Sequence, residues 1–145
     1  MGLSSVSDIN PALDALIDSG ANTILVNKNL QYLMYDFTAR SEILTLADKS
    51  QAYRRGTLGL FTNVALVKNL SLPLISTKIM CYKPFFFIVL HIDEIAYIID
   101  RYIDPKTGYS VIATASVRSD GLYHFDNLLD LLEYDYKQVP KTKDY

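Results

Sequence analysis

The sequence predicts an all-β chain with one or two short helices, and two observations carry that prediction. Short runs rich in Ile, Val, Tyr and Phe recur along the chain, and these residue types suit a pleated, half-buried surface. Gly, Pro, Asp and Asn cut those runs every few residues, as turns between strands require. At 145 residues, half of them hydrophobic, the chain is long enough for one sizeable core and too short for two typical domains.

In chain order, Ala15-Leu16-Ile17 runs into the polar turn Asp18-Ser19-Gly20, and Thr23-Ile24-Leu25-Val26 resumes an apolar strand. Lys28 to Tyr35 reads as a short helix or loop, and Ile43 to Leu46 as a strand ending at a polar hairpin tip, Asp48-Lys49-Ser50-Gln51. Leu58 to Phe61 and Val64 to Val67 read as two short strands separated by Thr62-Asn63. Leu72 to Met80 reads as a helix, with Pro73 tolerated in its first turn. Phe85 to Leu90, a buried strand, and Ile95 to Ile99 flank Asp93-Glu94, and Asp104 to Gly108 is a turn ahead of a strand over Tyr109 to Ala115. Asp120-Gly121 is a two-residue hairpin signal between Val117 and Leu122-Tyr123. Leu128, Leu129, Leu131 and Leu132 form a short closing helix, and the Lys-containing tail from Lys137 to Tyr145 is expected to be disordered.

Composition excludes several functions. The net charge is −2 and the basic residues are scattered, whereas binding to a phosphate backbone calls for a concentrated basic face. Cys81 is the only cysteine and His91 and His124 the only histidines, so there is no intramolecular disulfide framework and no metal-ligand spacing. No local signature makes a Cys-His nucleophile of them. The most apolar stretch, Pro84 to Leu90, is followed at once by His91 and Asp93-Glu94, short of the roughly 20 residues of a spanning helix. Met1 to Asn10 lacks a cationic start and an apolar core, so no secretion and an intracellular, cytoplasmic setting are expected.

Asp18-Ser19-Gly20 is the candidate for chemistry. Peptide hydrolysis by paired aspartates needs two carboxylates close enough to share a proton, one acting as base toward water and the other hydrogen-bonding the scissile carbonyl. Each must sit on a rigid turn, followed by a hydroxyl residue that braces the partner loop and a glycine that allows close approach. The apolar flanks on both sides supply the frame. Asp14, Asp36, Asp100 and Asp104 lack the Ser-Gly sequel and read as cap, turn or surface residues.

With its flanks, the loop resembles the proteases of copia-type (pseudoviral) retrotransposon polyproteins, which read apolar residues, Asp-Ser-Gly-Ala, then a few residues and an apolar pair. Glu42 to Asp48 is similar to that family's strand into an Ala-Asp-Gly turn, and Gly56-Thr57-Leu58-Gly59 to its next strand. Asn63 to Val67 resembles its Asn-Val-Leu-Tyr-Val strand, and Asn69 to Ile79, with Leu74-Ile75-Ser76, its Asn-Leu-Leu-Ser-Val helix entry. Thr107-Gly108, Val111 to Thr114 and Asp120 to Tyr123 resemble the segment that closes the protease region. The likeness spans about Leu16 to Phe125. Lys49 departs from it, standing where the family often has Gly, and the segment between Gly59 and Asn63 is shorter.

The resemblance implies a retropepsin-like acid protease fold, a half-barrel monomer. It implies an N-terminal extension over 1–14, a protease domain over 15–126, and a C-terminal helix with a flexible tail over 127–145. Asp18 would be the catalytic aspartate, Ser19 the brace and Gly20 the close-approach position. Ala47, Asp48, Lys49 and Ser50 would lie near the tip of a substrate-covering flap, and Leu74-Ile75-Ser76 would occupy the fold's second loop. A second Asp-Ser-Gly does not occur, so the partner carboxylate would come from a second copy. The expected protein is a homodimeric endopeptidase acting on a peptide or polyprotein, cytoplasmic or inside virus-like particles, with no cofactor and no metal, nucleic-acid or membrane partner. The rival reading is a catalytically silent, transposon-derived dimeric peptide-binding scaffold.

Overall fold

The computed structural model describes residues 13–46, 49–104 and 108–135. Its strands are β1 (Leu16–Asp18), β2 (Leu25–Val26), β3 (Met34–Tyr35), β4 (Ser41–Leu46), β5 (Lys49–Leu58), β6 (Phe61–Val67), β7 (Leu74–Ser76), β8 (Ile88–Ile92), β9 (Ile95–Asp104), β10 (Gly108–Val117) and β11 (Tyr123–Phe125). A 3-10 helix over Lys28–Leu33 and two five-residue helices, α1 (Thr77–Cys81) and α2 (Leu128–Leu132), complete it. The architecture is mainly β, as the aromatic and β-branched runs predict.

The strands form one open mixed sheet in the order β3-β5-β6-β2-β7-β1-β11-β10-β9-β8, with β4 paired to β5. Two pairs are parallel, β1 with β7 and β2 with β6. β1 thus sits mid-sheet, parallel to β7 on one side and antiparallel to β11 on the other. The main core gathers Ile24, Leu30, Phe61, Ile75, Ile98 and Leu131, each at most 2% exposed, and each such burial contributes about 1.5–3 kcal/mol. Phe85 packs edge-on against Phe61 at 5.2 Å and stacks on Phe87 at 5.3 Å, and Phe87 meets Tyr134 at 6.0 Å. That aromatic chain fastens β6, the segment before β8 and the residues after α2 to one another.

Several local expectations are corrected. Leu74–Ser76, expected inside a helix, is strand β7: the Pro73 carbonyl accepts from the Leu16 amide at 2.9 Å, which draws the chain into the sheet, and the helix starts only at Thr77. Thr62-Asn63 lies within β6, and the turn is Gly59-Leu60, because Leu58 pairs with Phe61 and Gly59 adopts φ 58°. Lys49 to Gln51 belongs to β5, with Leu46 opposite Lys49; Ala47 and Asp48 lie outside the described residues, as does the tail from Lys137 onward. Phe85 to Phe87 is not strand. The Phe85 and Phe86 amides bond the Tyr82 carbonyl, and Phe85 and Phe87 turn into the core.

The strand that follows, β8, is not buried but a sheet edge on which Ile88, Leu90 and Ile92 are 39–48% exposed. Its turn to β9 is tight, Asp93 and Glu94 both at positive φ between paired Ile92 and Ile95. Asp120-Gly121 does not make a two-residue hairpin. Val117 pairs with Tyr123, and the five residues between close through the Arg118 amide on Leu122 O and the Gly121 amide on Arg118 O. Asp100, expected at a surface or cap, is 1% exposed on β9 and accepts a short hydrogen bond from the Tyr134 hydroxyl. Burial, and then that carboxylate, push the Tyr134 phenol well above its ordinary range.

Candidate active site

Asp18 is the last residue of β1, and the chain must turn there because Ser19-Gly20 offers no apolar group to bury. The turn is closed by its own side chain: Asp18 Oδ1 accepts the Gly20 amide at 2.8 Å. That bond fixes the carboxylate's rotation while leaving Oδ2 outside it. Asp18 is half-buried, and Ser19 and Gly20 are exposed.

Behind the turn stands β7. Asp18 is in register with Ser76 across the parallel pair, and fully buried Ser76 donates its hydroxyl to the Ala21 carbonyl at 2.6 Å. The same oxygen accepts the Ile79 amide at 3.3 Å and caps α1, satisfying a donor the helix start leaves free. Lys78 Nζ donates to Asn22 Oδ1 at 3.0 Å, and the Ala65 amide donates to Ile24 O at 2.9 Å. The residues after Gly20 are therefore held from α1, β6 and β7 together, so the carboxylate is presented on a braced loop. A Cβ on Gly20 would meet nothing closer than Asp18 Oδ1 at 3.4 Å, an ordinary contact. Within one chain, then, nothing at that position excludes a side chain.

Ser76→Ala removes both bonds at once and orphans the part-buried Ala21 carbonyl. A loss of roughly 1–3 kcal/mol is expected in denaturant unfolding, with an unchanged m-value; a change below about 0.5 kcal/mol would mean the loop is not braced this way.

Compared with protein-family models, curated proteins and solved structures, the chain finds no match in any of the three. The site therefore stands on its own geometry.

The remaining candidates separate. Lys49 and Ser50 are paired in β5 opposite Leu46 and Thr45. The base of that hairpin is tied by Tyr53 Oη donating to Glu42 Oε2 at 2.7 Å, and Arg55 Nη1 ties β5 to β6 by donating to Asn63 O at 3.0 Å. Cys81 does not meet a histidine in a nucleophilic pair: burial pushes its thiol up, against a hydrogen bond to the Val89 backbone, and both ring nitrogens of His124 are taken by Asp14 and Asp120. His91 packs edge-on against Tyr123 at 4.7 Å. Among the described residues, no cluster of His, Cys, Asp or Glu is placed to hold a metal ion, and no helix is long and apolar enough to cross a membrane. A groove of about 700 Å³ lies against Thr23, Ile24, Asn63 and Ile79, and Asp18 is not in its lining. Sequence reasoning named Ser76 only as part of a loosely matched tripeptide and missed its tie to Ala21. The available signal was a Ser directly before a helical turn, which is an N-cap pattern.

Proposed function

We propose that this chain is one half of a homodimeric, retropepsin-like aspartic endopeptidase, in which Asp18 and its copy form the dyad. The observation that carries the reading is a single half-buried carboxylate, oriented by the Gly20 amide on a loop braced from behind by Ser76. Two such carboxylates at short range cannot both ionise, so they share a proton. The ionised one takes a proton from a water as that water attacks the scissile carbonyl. The protonated one hydrogen-bonds the carbonyl oxygen, and a proton passes on to the leaving amine. The hairpin of β4 and β5 would close over an extended substrate, and the substrate class is a polyprotein in a cytoplasmic or particle-enclosed setting. No cofactor enters this scheme.

Cleavage of a library of unstructured apolar peptides at mildly acidic pH, with Asp18→Asn beside the wild type, tests it. The expected result is cutting by the wild type alone. Equal cutting by both removes the aspartic assignment, and a dimer that binds extended peptides without cutting them is the silent scaffold instead.

A further inference from the structure

Asp14 lies four residues ahead of Asp18, at the entry to β1. Its Oδ1 is 2.8 Å from His124 Nδ1 on β11, and the other ring nitrogen, Nε2, is 2.7 Å from Oδ2 of Asp120 in the loop between β10 and β11. The His124 residue is 5% exposed. Arg118, from the same loop, sets Nη1 3.8 Å from Asp14 Oδ1 and donates from Nη2 to the Phe125 carbonyl at 3.2 Å. On β10, Ser116 is in register with His124 and gives its hydroxyl to Asp126. The charged groups facing the imidazole are thus Asp14 from the β1 side and Asp120 and Arg118 from the loop. A neutral imidazole donates from one nitrogen and offers a lone pair from the other. A carboxylate oxygen at each nitrogen is satisfied only when both carry a proton.

This cluster stands where β1 is least secured. β1 is three residues long and pairs with β7 at all three positions. Toward β11 it has the single register pair Leu16 with His124, and the Phe125 amide on Ala15 O at 2.9 Å. The side-chain bond from His124 to Asp14 adds a third polar link between the Asp18-bearing strand and β11.

We propose that His124, held as an imidazolium between Asp14 and Asp120, is a positioning residue that locks β1 against β11 and so sets where Asp18 is presented. The catalytic part of this inference rests on the dyad reading, whereas the lock itself does not. Burial lowers the readiness of the ring to be charged, but the two carboxylates outweigh it and raise its pKa above the ordinary histidine value. The Leu122 amide first, and then His124, hold Asp120 below the usual carboxylate value. A raised histidine contributes stability that is complete below about pH 6.5, its unfolded value, and is lost as pH rises through its higher folded value. A lowered carboxylate contributes stability that is lost as pH falls through its folded value. The lock is closed between those limits and opens on the alkaline side.

The test uses the whole chain, as wild type, His124→Asn, which keeps a donor toward Asp14 without titrating, and His124→Gln, which keeps one toward Asp120. In the wild type, amide exchange protection of Phe125, whose N–H bonds Ala15 O across the β1–β11 seam, corrected for the intrinsic rate, should fall several-fold as pH rises from the mildly acidic range to about pH 9. In either variant it should be independent of pH. The kcat of His124→Asn should be roughly ten- to hundredfold lower with KM little changed, as small misplacements produce. Identical pH dependence of protection in wild type and variants overturns the lock, as does a wild-type imidazole that titrates at or below its ordinary value. A pH-dependent lock with unaltered kcat overturns the positioning role. If the wild type cuts nothing, the dyad reading fails, while exchange at Phe125 still decides the lock.

Discussion

Asp18→Asn is expected to lower kcat/KM by roughly 10²–10⁴-fold while the fold is kept. The substitution replaces one carboxylate oxygen by an amide nitrogen and leaves Oδ1 to accept the Gly20 amide, as it does at 2.8 Å in the native turn. The turn should therefore close unchanged, and the cost to stability should stay within about 0.5 kcal/mol, as for other substitutions outside the core. What would be lost is the proposed titratable pair. Two amides share no proton, take none from water, and leave the attacking water without a base, a contribution worth roughly 10²–10⁴ in rate. Parallel melting curves and progress curves on one cleavable peptide check both halves. A variant that melts with the wild type and cuts that much more slowly assigns the loss to chemistry.

The largest effect on stability is expected at Gly59, far from Asp18 in the sheet order. Gly59 opens the two-residue turn between β5 and β6 at φ 58°, and a Cβ there would stand 2.3 Å from the Leu132 carbonyl oxygen and 2.9 Å from the Leu132 Cα. Those are backbone atoms at the end of α2, and Leu128, Leu131 and Leu132 hold that helix in the core. Neither side can yield without unpacking it. Left-handed strain of about 1–2 kcal/mol and overpacking of roughly 1–3 kcal/mol together put Gly59→Ala at about 2–5 kcal/mol in denaturant unfolding. Gly121→Ala isolates the first cost. Gly121 also has positive φ, at 79°, but nothing lies within 4 Å of its Cβ direction, so only the strain should appear. Equal losses at the two sites would mean that α2 does not press on the β5–β6 turn.

The sequence pattern revealed the strand-rich character, the Asp18 turn and the Leu128–Leu132 helix, because each is set by neighbours a few residues away. What it concealed depends on distant partners. Leu74–Ser76 has a helical flank on one side, and only pairing with Leu16–Asp18, nearly sixty residues earlier, makes it a strand. Phe85 to Leu90 looks like one buried run, yet the core takes Phe85 and Phe87 and leaves Ile88 and Leu90 at an edge. Asp120-Gly121 carries a hairpin signal, but the Asp120 side chain accepts the Leu122 amide at 2.9 Å and also serves His124, which lengthens the loop. At the site, Asp18-Ser19-Gly20 was legible as a tripeptide. Its brace at Ser76 and the bond between Asp14 and His124 were not, since nothing local links residues 55 and 110 positions apart.

The central claim, that catalysis needs one Asp18 from each of two copies, is tested most directly by mixing wild-type and Asp18→Asn chains at constant total concentration and allowing subunits to exchange. The account predicts that activity follows the square of the wild-type fraction, so that an equal mixture retains about a quarter of the wild-type rate, because every mixed dimer lacks half of the dyad. Activity in direct proportion to the wild-type fraction, about one half in the equal mixture, would contradict it.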